Sequence, residues 1–268
     1  MSPMNNQSAV LAFDFRSRKC SPWFLFFLVL QAGCPQPSAP EQIDGDSVSA
    51  PNANENQAAT EPVSSGWREQ MSAVQAGDSV TVLALEPVKS SELAELSSID
   101  HQLEDLLLDE GVADDYAWSD MPTLDALIHL RLRVTQLDDS TIKQLVTRLS
   151  KLQILNLPQA QLGSAGIRQL QNLPELRQLR LGGSRIDDAA MAEIAKLANL
   201  RSLHLIGPVI SPKGLSELAA STKLSSLYID DCPLADEAWQ GLFEAKPGLH
   251  VHIDQQHHDR DPQTHQHD

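Results

Sequence analysis

From Leu127 to Ile253 the apolar positions repeat one phrase, Leu-x-x-Leu-x-Leu, every 24 or 25 residues. The copies are Leu127-Leu130-Leu132, Leu152-Leu155-Leu157, Leu176-Leu179-Leu181, Leu200-Leu203-Leu205 and Leu224-Leu227-Ile229, with a weaker one at Val251 and Ile253. Within a copy the last two apolar residues alternate with polar ones, as Leu179 and Leu181 do with Gln178, Arg180 and Gly182. That is the period of a strand with one buried face. Ile186 follows, then Asp187, whose side chain can accept from the free amides of a first helical turn. Met191, Ile194 and Leu197 then recur at helical spacing. The other units match: Leu137, Leu162, Ile210 and Leu234 stand in the place of Ile186, and Ser211-Pro212 reads as a helix start with Ser as cap and Pro at the first position. The 25-residue unit carries its extra residue between Leu145 and Leu149.

Two irregular units precede these. Val80-x-x-Leu83-x-Leu85 predicts a first strand, with Leu93, Leu96 and Ile99 as its helix. Leu103-x-x-Leu106-x-Leu108 predicts a second, with Asp114-Asp115 at the helix start and Trp118, Met121 and Leu124 on its stripe. Before both, residues 66–76 predict a helix with Trp67, Met71 and Val74 on one side, ended by Gly77-Asp78. It serves as a cap for the exposed first strand.

A phrase of this kind at this period is the signature of a solenoid, in which each unit buries its apolar face only against its neighbours. The chain resembles the leucine-rich repeat family over residues 80–254. The resemblance implies an α/β leucine-rich repeat solenoid, with a parallel sheet on the concave face and short helices on the convex face. This family often carries an Asn three residues after the last strand leucine. Here the residues are Thr135, Ala160, Ser184, Pro208 and Cys232, which resembles the helix-bearing, cysteine-containing branch and makes Cys232 a buried small residue.

The N-terminus changes the picture from a bare domain to an exported one. Arg16, Arg18 and Lys19 precede the apolar run Trp23 to Leu30, too short for a bilayer but suited to a secretory signal. The run ends in Gln31-Ala32-Gly33-Cys34, which resembles the lipobox of bacterial lipoproteins, with Gln31 as a departure from the preferred apolar residue. The resemblance implies lipid attachment at Cys34. Plain secretion or a soluble periplasmic protein is the alternative. Residues 35–65 are rich in Pro, Ser, Ala, Asn, Gln and Glu, too polar to offset their ordering entropy. The domains expected are a signal peptide 1–33, a disordered tether 34–65, a repeat domain 66–254 (cap 66–79 and about seven repeats), and a disordered His/Asp-rich tail 255–268. The expected location is the cell envelope, held by a lipid anchor rather than a transmembrane helix.

The formal net charge is −16, which argues against nucleic acid as a ligand because phosphate contacts need basic clusters. Against that acidity the outward strand positions stand out. Arg131, Arg133, Asn156, Arg180, His204 and Tyr228 are the candidate contacts for a protein partner of unknown identity, since Arg and Tyr are enriched at interface hot spots. A solvated sheet face would show the same alternation. At the other end His250, His252, His257, His258, His265 and His267 are six of the nine histidines. Imidazoles suit Zn, Ni or Cu, yet the tract has no fixed ligand spacing, and no cofactor is otherwise implied. No Gly-x-Ser-x-Gly, His-Glu-x-x-His, Gly-x-x-x-x-Gly-Lys or Cys-x-x-Cys occurs, so no enzyme is expected. Three functions remain: protein binding through the sheet face, metal binding through the histidine-rich end, and a structural role in the envelope.

Overall fold

The computed structural model describes residues 66–113 and 116–257. The expected signal, tether and Cys34 lie outside these residues, as do Asp114, Asp115, His258, His265 and His267. Among the described residues there are nine strands, β1 (Thr81–Ala84), β2 (Asp105–Leu108), β3 (His129–Leu132), β4 (Ile154–Leu157), β5 (Gln178–Gly182), β6 (Ser202–Ile206), β7 (Ser226–Asp230), β8 (His250–Ile253) and β9 (Gln256–His257). They lie side by side in chain order in one sheet, parallel throughout except for the last pair, β8 and β9. The helices are α1 (Trp67–Ala76), α2 (Ser90–Glu95), α3 (Asp139–Val146), α4 (Ser164–Gln169), α5 (Asp188–Ile194), α6 (Pro212–Glu217) and α7 (Asp236–Ala245). This is an α/β leucine-rich repeat solenoid, with the sheet as one layer and the helices as the other.

The repeat leucines make the core. Leu130, Leu132, Leu157, Leu181, Leu203, Leu205, Leu227 and Ile229 are fully enclosed, and so are Ile142, Ile167, Met191 and Leu215 from the helices. The helix starts behave as their sequences demand. Asp187 Oδ1 accepts from Ala190 N at 2.9 Å, and Ser211 Oγ accepts from Lys213 N at 3.2 Å. Cys232 is buried, and burial pushes its thiol above the usual range. With no Asn ladder, backbone groups satisfy one another across repeats: Gly183 N–H donates to Ile206 O at 3.0 Å and Gly207 N–H to Asp230 O at 2.9 Å.

Three differences from the sequence reading have physical causes. First, β1 is shifted by one residue. Val82 and Ala84, not Leu83 and Leu85, stand beside Leu106 and Leu108. Leu85 is half exposed, while Val82 is fully buried. A one-residue slip exchanges the faces of a strand, and here Gln70 of α1 pins the register. Its Oε1 accepts from Leu83 N at 2.7 Å and its Nε2 donates to Leu83 O at 2.8 Å. Second, among the described residues the second repeat has a single 3-10 turn, Trp118–Asp120, where a helix stripe is expected. Pro122 follows Met121 and disfavours helical backbone there, yet Trp118, Met121 and Leu124 are buried as the stripe requires. Third, ordered structure continues past Asp254. Gln256 and His257 turn back and pair with Ile253 and His252.

Candidate functional site

Strand register builds the candidate face. Arg131 pairs with Asn156, Asn156 with Arg180, Arg180 with His204, His204 with Tyr228, and Tyr228 with His252. Their neighbours along each strand, such as Leu179 and Leu181, are buried, so alternation sends this row to the opposite face from the core. Five of the six expected partner contacts therefore form one continuous line. Arg133 lies just beyond the end of β3.

The row is not a free cationic band. Arg131 and Asp109 form a two-pronged pair, with Nε to Oδ1 at 2.7 Å and Nη2 to Oδ2 at 3.0 Å. Arg133 Nη1 adds a looser contact to Asp109 at 3.6 Å. His204 Nε2 lies 2.8 Å from Asp230 Oδ2. His129 Nδ1 lies 3.5 Å from Asp105 Oδ1, but burial, the largest influence, pushes its titration below the usual histidine range against the pull of that carboxylate. Asp105, Asp109 and Asp230 thus answer the basic residues beside them. Sequence reasoning missed these pairings, although the spacing carried the signal. Asp109 stands 22 residues before Arg131 and Asp230 stands 26 after His204, so each is two residues off a 24-residue period, a diagonal neighbour at or just past the end of the adjacent strand.

Arg180 is different. It is exposed and makes no ion pair among the described residues. It lines a shallow groove with Asn156, Gln178, Ser202, His204 and Tyr228. Asn156 Oδ1 in that groove receives no hydrogen bond among the described residues. The Tyr228 ring stands between His204 and His252, with centroids 5.7 Å and 4.9 Å away. The groove therefore offers a guanidinium without an ion pair among the described residues and an aromatic face.

The histidines divide. His250, His252 and His257 converge at the end of the sheet, each offering a ring nitrogen within 4.8 Å of the others. His258, His265 and His267 lie outside the described residues. What sequence missed was the reversal at Asp254-Gln255, which carries His257 back beside His252.

On the helix side the acids have structural work. Asp139 Oδ1 accepts from Gly163 N at 2.8 Å while its Oδ2 meets Arg185 Nη2 at 2.9 Å. Asp188 accepts from Ser211 N at 2.8 Å and from Ser211 Oγ at 2.6 Å, which lowers its titration. Each acid opens one helix and ties down the start of the next. Glu193 is buried and meets Arg168 at 2.9 Å and Lys196 at 3.0 Å, contacts that hold its carboxyl below the usual range.

No helix among the described residues is long and apolar enough to cross a membrane. No protein-family model matches the chain, and no curated protein matches it. Among solved structures, an internalin from Listeria monocytogenes is similar at 18% identity over 67% of this chain and 57% of its own, with a TM-score of 0.44. A leucine-rich repeat protein from Leptospira interrogans is similar at 18% identity over 59% of this chain and 45% of its own, with a TM-score of 0.40. The chain spans about half the length of these structures.

Proposed function

We propose that this protein is a binding module that recognises a protein partner through the sheet face, centred on Arg180, His204 and Tyr228. The observation that carries the reading is the groove across β4 to β7, where Arg180 has no ion pair among the described residues while the bases on either side are matched by acids. Arg and Tyr are among the residue types enriched at interface hot spots, where truncation costs about 2 kcal/mol or more. The matching of Arg131 and His204 by Asp109 and Asp230 makes the face selective by shape and hydrogen bonding rather than by bulk positive charge. The same reading takes the domain to be exported and held in the cell envelope through lipid at Cys34, on the tether 34–65. It assigns the chain no catalytic step.

Affinity capture from an envelope extract tests the reading, with the full chain as one bait and Arg180→Ala/Tyr228→Ala as the other. Both side chains lie on the outward face, so circular dichroism of the two baits is expected to coincide. A protein held by the first bait and released by the second, with at least a tenfold loss of affinity (about 1.4 kcal/mol), supports the groove as the binding site. Identical captures from both baits overturn it.

A further inference from the structure

We infer that His250, His252 and His257 form a binding site for a divalent late-transition-metal ion, which fastens the terminal hairpin to the end of the sheet. The site goes beyond partner binding in the groove and does not depend on it. It begins with a two-residue loop. Asp254 and Gln255 both have positive φ, 48° and 66°, the signature of the type I′ turn that matches the twist of a hairpin. Asp254 Oδ1 accepts from Asp231 N at 2.8 Å, which ties the loop to the preceding repeat. The turn sets His257 directly opposite His252 in the antiparallel pair. His250 and His252 are two apart on β8 and share a face. Three imidazoles are thus brought to one side of two adjacent strands, above the buried Val251 and beside the Tyr228 ring.

The spacing suits coordination. His250 Nε2 and His252 Nε2 are 2.9 Å apart. Two nitrogens bound to one ion at about 2.0–2.1 Å stand about 2.9 Å apart at a right angle and about 3.4 Å apart at the tetrahedral angle. The His252 and His257 rings have centroids 4.0 Å apart, and a nitrogen from each of the three falls within 4.8 Å of the other two, so a small ring rotation closes the set. The donors are all imidazole, with no thiolate or carboxylate among them. Such a set favours Zn(II), Ni(II) or Cu(II) over Mg(II) and Ca(II), which take oxygen ligands. Three protein ligands leave a coordination position for water or for a group on a bound molecule. The mechanical consequence is local. β9 has two residues, too short to hold by its ladder alone, and an ion shared by β8 and β9 cross-links them.

The test is calorimetric titration of the full chain with ZnCl2, repeated with MgCl2, on four proteins: wild type, His252→Ala, His257→Ala, and a tail variant His258→Ala/His265→Ala/His267→Ala. Wild type and the tail variant should bind Zn(II) alike and Mg(II) not at all. His252→Ala and His257→Ala should each weaken Zn(II) binding by more than the 10- to 100-fold that loss of an outer-shell partner costs. Zn(II) should also raise the thermal midpoint of the tail variant, because a ligand of the folded state alone stabilises it. The midpoint of His257→Ala should not move. His257 sits on the terminal hairpin, outside the repeat core, so this variant folds and keeps the comparison readable. Equal Zn(II) affinity in wild type, His252→Ala and His257→Ala overturns the inference, as does loss of binding in the tail variant alone.

Discussion

An ideal Cβ on Gly214 would stand 2.1 Å from Asp188 Oδ1 and 3.0 Å from the Asp188 Cα. On Gly166 it would stand 2.3 Å from Asp139 Oδ1 and 3.2 Å from the Asp139 Cα. Both glycines sit inside short helices, where alanine is normally better by about 1 kcal/mol. Here the side chain is excluded because the acid of the preceding repeat fills its place on the way to Ser211 or Gly163. Gly214→Ala is therefore expected to destabilise, by about 1–3 kcal/mol as overpacked sites do. Urea denaturation of Gly214→Ala, Asp188→Ala and the double mutant checks this. The double mutant should cost less than the sum of the singles, because removing the carboxylate opens the space the methyl needs. Additive costs would show that the two residues do not share one site. None of this was legible beforehand. The sequence marked Asp187 as a helix-start acid, but it could not say that its neighbour Asp188 reaches forward to the next repeat. That contact depends on a stacking distance, not on a local pattern.

The elements were legible wherever the period was strict. From β3 to β8 each leucine phrase became a strand at the expected place, and Asp187 and Ser211-Pro212 started helices as read. β1 was misread because Leu83 and Leu85 look like the phrase, while counting 24 residues back from Leu106 and Leu108 gives Val82 and Ala84. The period was the better guide than residue type, and the hydrogen bonds from Gln70 explain why. An edge strand leaves its backbone groups open on one side, and Gln70 satisfies both the N–H and the C=O of Leu83. Gln70→Ala should expose that edge and loosen β1 without touching distant repeats, since a solenoid is held by nearest-neighbour contacts. Hydrogen exchange is the readout. Amides of residues 81–84 should exchange faster while those of β5 to β7 keep their protection. Equal acceleration along the whole sheet would show that the cap governs global rather than local stability.

At the scale of the molecule, net charge and period told how the protein is built, but not where its charges meet. The overall −16 conceals a sheet face on which Asp109 and Asp230 answer Arg131 and His204, and a helix side on which Asp139, Asp188 and Glu193 are committed to backbone and side-chain partners. Those commitments set the response to acid. Hydrogen bonds from Thr141 and Ser140 hold Asp138 down at about 2, against an ordinary value of 3.8. Asp188 and Glu193 are also lowered, by Ser211 in one case and by Arg168 and Lys196 in the other. A carboxyl whose folded value is depressed stabilises the fold fully above its unfolded value, and that contribution is lost as pH falls through the folded one. Stability should accordingly hold down to about pH 5 and decline between there and pH 2, as urea midpoints across that range would show. Asp138→Asn keeps the helix cap and removes one titration, so its curve should be flatter; an unchanged slope would contradict the assignment. The two ends of the sheet carry a larger consequence. A parallel sheet has a direction, so the outer edge of β8 in one molecule is a natural complement for the outer edge of β1 in another. Contact of that kind does not close into a dimer but adds copies head to tail without limit. Among the described residues, helix α1 with its Gln70 stands at one edge and a two-residue strand at the other, so the devices that finish the fold also stand in the way of such end-to-end addition.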